Sequence, residues 1–217
     1  MVPDRWLDGL VGPAIALVQI GGPTGLWGVA SWSMRMFVAV APPMGITEDL
    51  DTFLDVRRDA AELRWTRPET WHVTLAFLPD VPDRSLDGLV DALAEVAGRR
   101  RTLVASVGGA GAFPDVAGAR VLWAGVRTDD DEELGRLAAG CRTAAATHGV
   151  ETLRERFTPH LTLARSRHPF EATRWLRVLD TYRSEDFPVD RFTLFSSHLG
   201  EGPGGRPRYD VEAEFLL

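Results

Sequence analysis

Lysine is missing altogether: all 24 basic side chains in the 217 residues are arginine. Its absence removes every chemistry that needs a side-chain primary amine, namely Schiff-base formation, a lysine nucleophile and the lysine of a phosphate-binding P-loop. We attribute the bias to GC-rich coding rather than to function. Cysteine is almost missing too. A lone Cys141 cannot close an intrachain disulfide, gives no sign of an oxidising compartment, and has no Cys/His partners at zinc-site spacing. Positive charge is outweighed by negative. A formal net charge of −7 argues against coating nucleic acid through a broad basic surface, though not against holding one phosphate in a local pocket.

What is present is an ordinary globular composition, 45% hydrophobic and 25% charged, with length enough for a substantial core. Residues 1–33 stand apart. No charge separates Asp8 from Arg35, and residues 9–30 mix apolar side chains with six Gly and two Pro. As a secretory signal the segment starts poorly, with Asp4 and Asp8 against Arg5; as a membrane span it carries too much Gly and Pro. A complete domain is expected to begin at Met34. Residues 1–33 are therefore expected to be an N-terminal extension, flexible or not native, and residues 34–217 a single cytoplasmic domain without membrane contact.

Within that domain, residues 34–41 read as a buried strand stopped by Pro42 and Pro43, and residues 46–60 as a helix with Thr47 as its N-cap. Residues 63–66 are a short strand. Residues 71–78 form a longer one closed by Pro79 and Pro82, and Ser85 caps a helix reaching about Gly98. A strand over 102–108 ends in the glycine-rich stretch 108–114, and residues 120–126 make the next. The acidic run 129–133 is the first turn of a helix reaching about His148. After the strand that contains His160 come a helix over 170–179 and two long strands, 187–199 and 209–217. This order predicts an α+β fold with mixed or antiparallel sheet and helices outside.

Two of these strands carry the same pattern. Trp71-His72-Val73-Thr74-Leu75-Ala76-Phe77-Leu78 and Phe157-Thr158-Pro159-His160-Leu161-Thr162-Leu163-Ala164-Arg165 share His-x-Thr-Leu-Ala, 88 positions apart. On a strand, His and Thr two positions apart project from one face, about 7 Å from each other, while Val73, Leu75, Leu161 and Leu163 point the other way. If the two strands face one another, two imidazoles and two hydroxyls share a cleft, and the halves are related by a pseudo-twofold axis. His148, His168 and His198 lack this context and read as surface or internally satisfied histidines.

Two imidazoles with pKa near 6.5 can divide proton transfer at neutral pH, one neutral and one charged. Thr hydroxyls can donate to non-bridging oxygens, and Arg165 offers a planar cation suited to phosphate. Strict alternation, however, turns Arg165 away from His160, so its strand must end or twist there. The set suits metal-free cleavage of a phosphodiester, a strained cyclic one above all. Acyl transfer lacks a Ser or Cys nucleophile motif, and two histidines without clustered carboxylates are a thin metal-ligand set.

With these motifs in the context of MRMFVAVAPP (34–43), LRWTRPETWHVTLAFL (63–78), GAFPDVAGARVLWAGV (111–126), FTPHLTLARSR (157–167) and RFTLFSSHLGEGPGGRPRYDVEAEFLL (191–217), the chain resembles the two-histidine (2H) phosphoesterase superfamily. Within it the resemblance is to RNA 2′,3′-cyclic phosphodiesterases, also called 2′-5′ RNA ligases. It implies a bilobal α+β fold, two pseudo-symmetric lobes with outer helices around a central cleft. It implies metal-independent, cofactor-free hydrolysis of an RNA-terminal 2′,3′-cyclic phosphate to a 2′-phosphomonoester, with reversible 2′-5′ ligation as a further capacity. By resemblance His160 is the base and His72 the acid, and Thr74, Thr162 and Arg165 hold the phosphate. Phe113 is either a nucleobase platform or a core aromatic. The expected partners are RNA 3′ ends or small nucleotides carrying the cyclic phosphate, bound by a monomer. A small cyclic nucleotide or an ADP-ribose cyclic phosphate as substrate, and a non-catalytic nucleotide-binding module, remain the alternatives. The chain departs from the family in having Pro79-Asp80 after Leu78, where glycine is usual, and in residues 1–33.

Overall fold

A computed structural model of the chain describes residues 33–60, 63–153 and 156–217. The expected N-terminal extension lies outside the described residues, except Ser33, which opens the first strand. Among these residues nine strands form one sheet: β1 (Ser33–Val40), β2 (Arg64–Trp65), β3 (Val73–Pro82), β4 (Leu103–Phe113), β5 (Ala119–Thr128), β6 (His160–Phe170), β7 (Phe187–Val189), β8 (Arg191–Gly202) and β9 (Arg206–Leu216). Among the described residues four α-helices accompany them, α1 (Met44–Asp55), α2 (Asp83–Ala97), α3 (Asp131–Thr147) and α4 (Thr173–Leu179), with two short 3-10 helices at Arg58–Ala60 and Pro68–Thr70. The spatial order is β7-β4-β5-β6-β3-β1-β8-β9, with β2 on β6. Of the mixed or antiparallel sheet expected, the antiparallel form is observed in every pairing.

The sheet divides in two. β7, β4, β5, β6 and β2 make one half, and β3, β1, β8 and β9 the other; the halves join through the single pair Val73↔Leu161. Both residues belong to the buried core with Leu89 and Leu93 of α2 and Leu134, Leu137 and Cys141 of α3. The helices thus cover the face to which Val73 and Leu161 point. α3 begins as its acidic run predicts. The Asp130 side chain accepts from the Glu133 amide at 2.9 Å, and Asp131, Glu132 and Glu133 occupy the positive end of the helix.

Several boundaries differ from the sequence reading. β3 does not end at Pro79 but continues to Pro82, because Pro79 falls in a register shift of the β1–β3 ladder, where its missing N–H is not needed. α1 starts at Met44, so Thr47 lies one turn inside it and donates back to the Met44 carbonyl. α2 starts directly at Asp83, which puts Ser85 within the helix instead of at its cap. The glycines after Val107 do not end β4; a register shift between Val107 and Ala110 carries the strand on to Phe113. Phe170 closes β6, and the helix after it begins at Thr173. The strand expected over 187–199 is two strands that belong to opposite halves, β7 on β4 and β8 on β1.

Candidate active site

At the junction of the halves, Val73 opposite Leu161 is the centre of local symmetry. Extending that antiparallel register sets His72 against Thr162 and Thr74 against His160. The four side chains lie on the face away from the helices, the reverse of Val73 and Leu161. The motifs are therefore carried by adjoining segments of one sheet.

Both histidines are held identically. His72 Nδ1 lies 2.7 Å from the Thr70 carbonyl, and His160 Nδ1 lies 2.7 Å from the Thr158 carbonyl. A carbonyl only accepts, so each Nδ1 carries a proton and donates it. In the neutral ring this leaves Nε2 as the available base on both histidines. An aromatic from the adjoining strand packs on each ring. Phe37 of β1 stacks on His72 at 4.6 Å, and Trp123 of β5 lies tilted against His160 at 5.7 Å. Phe113 meets His160 edge-on at 5.1 Å, and Tyr209 of β9 meets His72 edge-on at 5.7 Å.

Arg165 reaches this face through a register shift. Along β6, Ala164 pairs with Leu122 and Thr162 with Trp123, so Leu163 is skipped and alternation inverts beyond it. Arg165 then sits opposite Val121, two residues from Trp123 and on the same side as that ring. β3 repeats the device. Ala76 pairs with Val38 and Thr74 with Ala39, Leu75 is skipped, and Phe77 comes to lie opposite Phe37 on the site face. The skipped residues and their successors, Leu75-Ala76 and Leu163-Ala164, are all buried in the core. The departure from alternation that Arg165 requires is therefore built into both halves.

Burial pushes the His72 imidazole down to about 4; the carbonyl bond to Thr70 opposes this, while the charges of His160 and Arg165 add to it. His160 is lowered as well, first by burial, with Thr158 opposing and Arg165 adding. The two imidazoles share one face, so a charge on either disfavours a charge on the other. The Arg165 charge is felt by both imidazoles. Both rings keep accessible surface, and Arg165 is exposed, yet all three are desolvated by surrounding protein. That combination belongs to groups at the floor or rim of a recess. Among the described residues, the Thr74 and Thr162 hydroxyls have no hydrogen-bond partner and Arg165 has no ion pair. The grooves lined by Val96, Arg100, Ala139 and Thr143 lie on the helical side and touch neither histidine.

All six residues selected from sequence, His72, His160, Thr74, Thr162, Arg165 and Phe113, gather here. Sequence reasoning passed over Phe37, Trp123 and Tyr209. The first two had a legible signal, an aromatic among aliphatics on the polar face of a strand; Tyr209 had none, since only the pairing of β8 with β1 and β9 brings it in. Among the described residues no three His, Cys, Asp or Glu side chains gather where they could hold a metal ion. No helix there is long and apolar enough to cross a membrane.

A two-histidine site at the junction of two antiparallel half-sheets defines the class, and comparison with known proteins names the family. The model of the 2′-5′ RNA ligase superfamily matches residues 49–201, and the chain belongs to that superfamily. It is 30% identical to an RNA 2′,3′-cyclic phosphodiesterase of Aquifex aeolicus over 158 residues, 71% of this chain and 81% of that one. It is 27% identical to the Thermotoga maritima protein of the same name over 198 residues, 83% and 96% of the two chains. A Geobacillus stearothermophilus relative of that name is 31% identical over 70% of this chain, which spans 47% of its length. Apo E. coli LigT superposes with a TM-score of 0.66 at 25% identity, covering 85% of this chain and 98% of that one. E. coli LigT complexed with 3′-AMP gives 0.64 at 26% identity, covering 86% and 99%. The fold is the bilobal 2H phosphoesterase fold, and the two half-sheets are its lobes.

Proposed function

We propose that the chain hydrolyses the 2′,3′-cyclic phosphate at an RNA 3′ end to a 2′-phosphomonoester, with His72 and His160 as the proton-transfer pair. One observation carries the reading. Two imidazoles, each fixed by an Nδ1–H bond to the carbonyl two residues back, present Nε2 beside two hydroxyls and a guanidinium that have no partner among the described residues. Water attacks phosphorus and gives its proton to one Nε2. The P–O3′ bond breaks, and the other imidazolium protonates O3′. Thr74 and Thr162 donate to the non-bridging oxygens, and Arg165 balances the charge that grows on them. Nothing in this sequence of steps calls for a metal or cofactor.

Family likeness makes His160 the base and His72 the acid. Burial holds the His72 imidazole low in the empty site, so its role as acid requires the bound phosphate to lift it. An anion beside a desolvated imidazole has that effect. Phe113, edge-on to His160, stands where a nucleobase could stack. A single buried thiol, Cys141, fits the reducing cytoplasm.

The test is product analysis on an RNA oligonucleotide ending in a 2′,3′-cyclic phosphate. A 2′-phosphate product formed with chelator present, and a loss of about two to four decades in His72→Ala and in His160→Ala, is the expected result. A 3′-phosphate product, or full activity in either variant, would overturn the mechanism. Tight binding of the 2′-phosphate product with no turnover would leave a binding module instead.

A further inference from the structure

The pseudo-symmetry that pairs the histidines also pairs two cations. The 88-residue offset relating His72 to His160 relates Phe77 to Arg165, each the first residue after a skipped leucine to regain the site face. Where β6 carries a guanidinium at this position, β3 carries a ring. That ring, however, bears a guanidinium of its own: Arg35 of β1 lies over Phe77 with Cζ 4.4 Å from the ring centre. Each half of the site therefore has one arginine at the equivalent place, supplied by the His strand in one half and by its neighbour in the other.

Among the described residues Arg35 forms no ion pair, and its Nε is buried without a hydrogen-bond partner. A partly buried cation held only by an aromatic face is costly unless an anion joins it. Tyr209 joins the two arginines into one surface. Its ring packs edge-on against Phe37 at 4.9 Å and against His72 at 5.7 Å, and the charges of both Arg35 and Arg165 act on its hydroxyl. Burial lowers the pKa of Arg35, yet a guanidinium stays charged through any working pH.

Resting on the function proposed above, we infer that Arg35, seated on Phe77 beside Tyr209, is a second anion site, which holds the phosphate on the 5′ oxygen of the terminal nucleotide while Arg165 holds the reacting one. In an RNA end that phosphate is the next internucleotide phosphodiester; in a mononucleotide it is a 5′-monophosphate. The site thus measures two phosphates, and a 5′-hydroxyl nucleoside cyclic phosphate satisfies only half of it.

The experiment compares wild type, Arg35→Met and Arg35→Lys in two readouts. Calorimetric affinities are measured for a nucleoside 2′-phosphate, a nucleoside 2′,5′-bisphosphate and a dinucleotide ending in a 2′-phosphate. kcat/KM is measured for the three matching 2′,3′-cyclic phosphates. Wild type should prefer the ligands with a second phosphate. Arg35→Met should lose on them about tenfold more than on the one-phosphate ligand, a typical size for one charge-assisted contact, and Arg35→Lys should recover part of it. The salt dependence of dinucleotide binding should also fall by about 0.7 in log–log slope, the value for one phosphate of a single strand. The bisphosphate and dinucleotide arms separate the two sources of the second phosphate. Equal losses on all three ligands, or no wild-type preference, would overturn the inference. Intact affinity differences with no turnover of any cyclic phosphate would instead overturn the hydrolytic function and leave the second anion site standing. Arg35→Lys keeps the charge and tests the site if the methionine variant does not fold.

Discussion

Leu75 and Leu163 are equivalent skipped residues, one in each half of the sheet, and the reading face of the site depends on both. Leu163 turns Arg165 onto the side of His160. Arg165→Ala should therefore lower kcat/KM on a 2′,3′-cyclic nucleotide by about two to three decades, the scale for removing one donor aimed at transition-state charge. Arg165→Lys should restore only part, since an ammonium keeps the charge and loses the two-pronged fork. Steady-state kinetics of the three proteins checks this.

Gly111 lies beneath the Trp123 indole. A methyl group there would sit 2.0 Å from Trp123 Cζ2, so the indole would have to shift. Gly111→Ala should cost about 1–3 kcal/mol and displace the ring that packs on His160, lowering activity as well. Gly135, inside α3 with nothing within 4 Å of an added Cβ, is the control. There alanine should stabilise the protein by up to about 1 kcal/mol. Urea denaturation of both variants separates a steric effect from a general intolerance of substitution.

His72 couples stability to pH. Its folded pKa of about 4 lies below the ordinary value of 6.5, so between the two the unfolded chain binds a proton that the folded chain refuses. The contribution is fully present above pH 6.5 and is lost as pH falls toward 4. It amounts to roughly 3 kcal/mol, and His160 adds in the same direction. His72→Gln should flatten the pH dependence of unfolding free energy in this window. For the wild-type enzyme, the acid limb of kcat/KM should fall below pH 6.5, because that ratio reports the free enzyme's groups.

Cys141 sits on the buried side of α3, fully enclosed, and burial pushes its thiol up to about 12. A thiol held neutral and covered is not a nucleophile. The native protein should leave a thiol-specific reagent unreacted, and one equivalent should react on unfolding.

Much of this arrangement was legible along the chain. The His-x-Thr pairs, the aliphatic positions between them and the acidic start of α3 are local patterns, and local periodicity specifies which face a residue takes while a strand stays regular. The same reasoning required a break in alternation for Arg165 without locating it, ended β3 at Pro79 and joined β7 to β8. Each of these depends on what the neighbouring strand pairs with, and a pairing register is a relation between distant segments.

The sequence by itself therefore determined the chemistry available: two imidazoles, two hydroxyls, arginine as the only cation, and two strands built to present them. Tertiary structure alone decided that Val73 meets Leu161 so that the motifs share one face, that skipped leucines bring Arg165 and Phe77 onto it, and that Arg35 and Tyr209 arrive from β1 and β9. The physical reason is that alternation is a property of one strand, whereas a register shift, and the crowding of side chains from six strands around two rings, exist only once the sheet has formed.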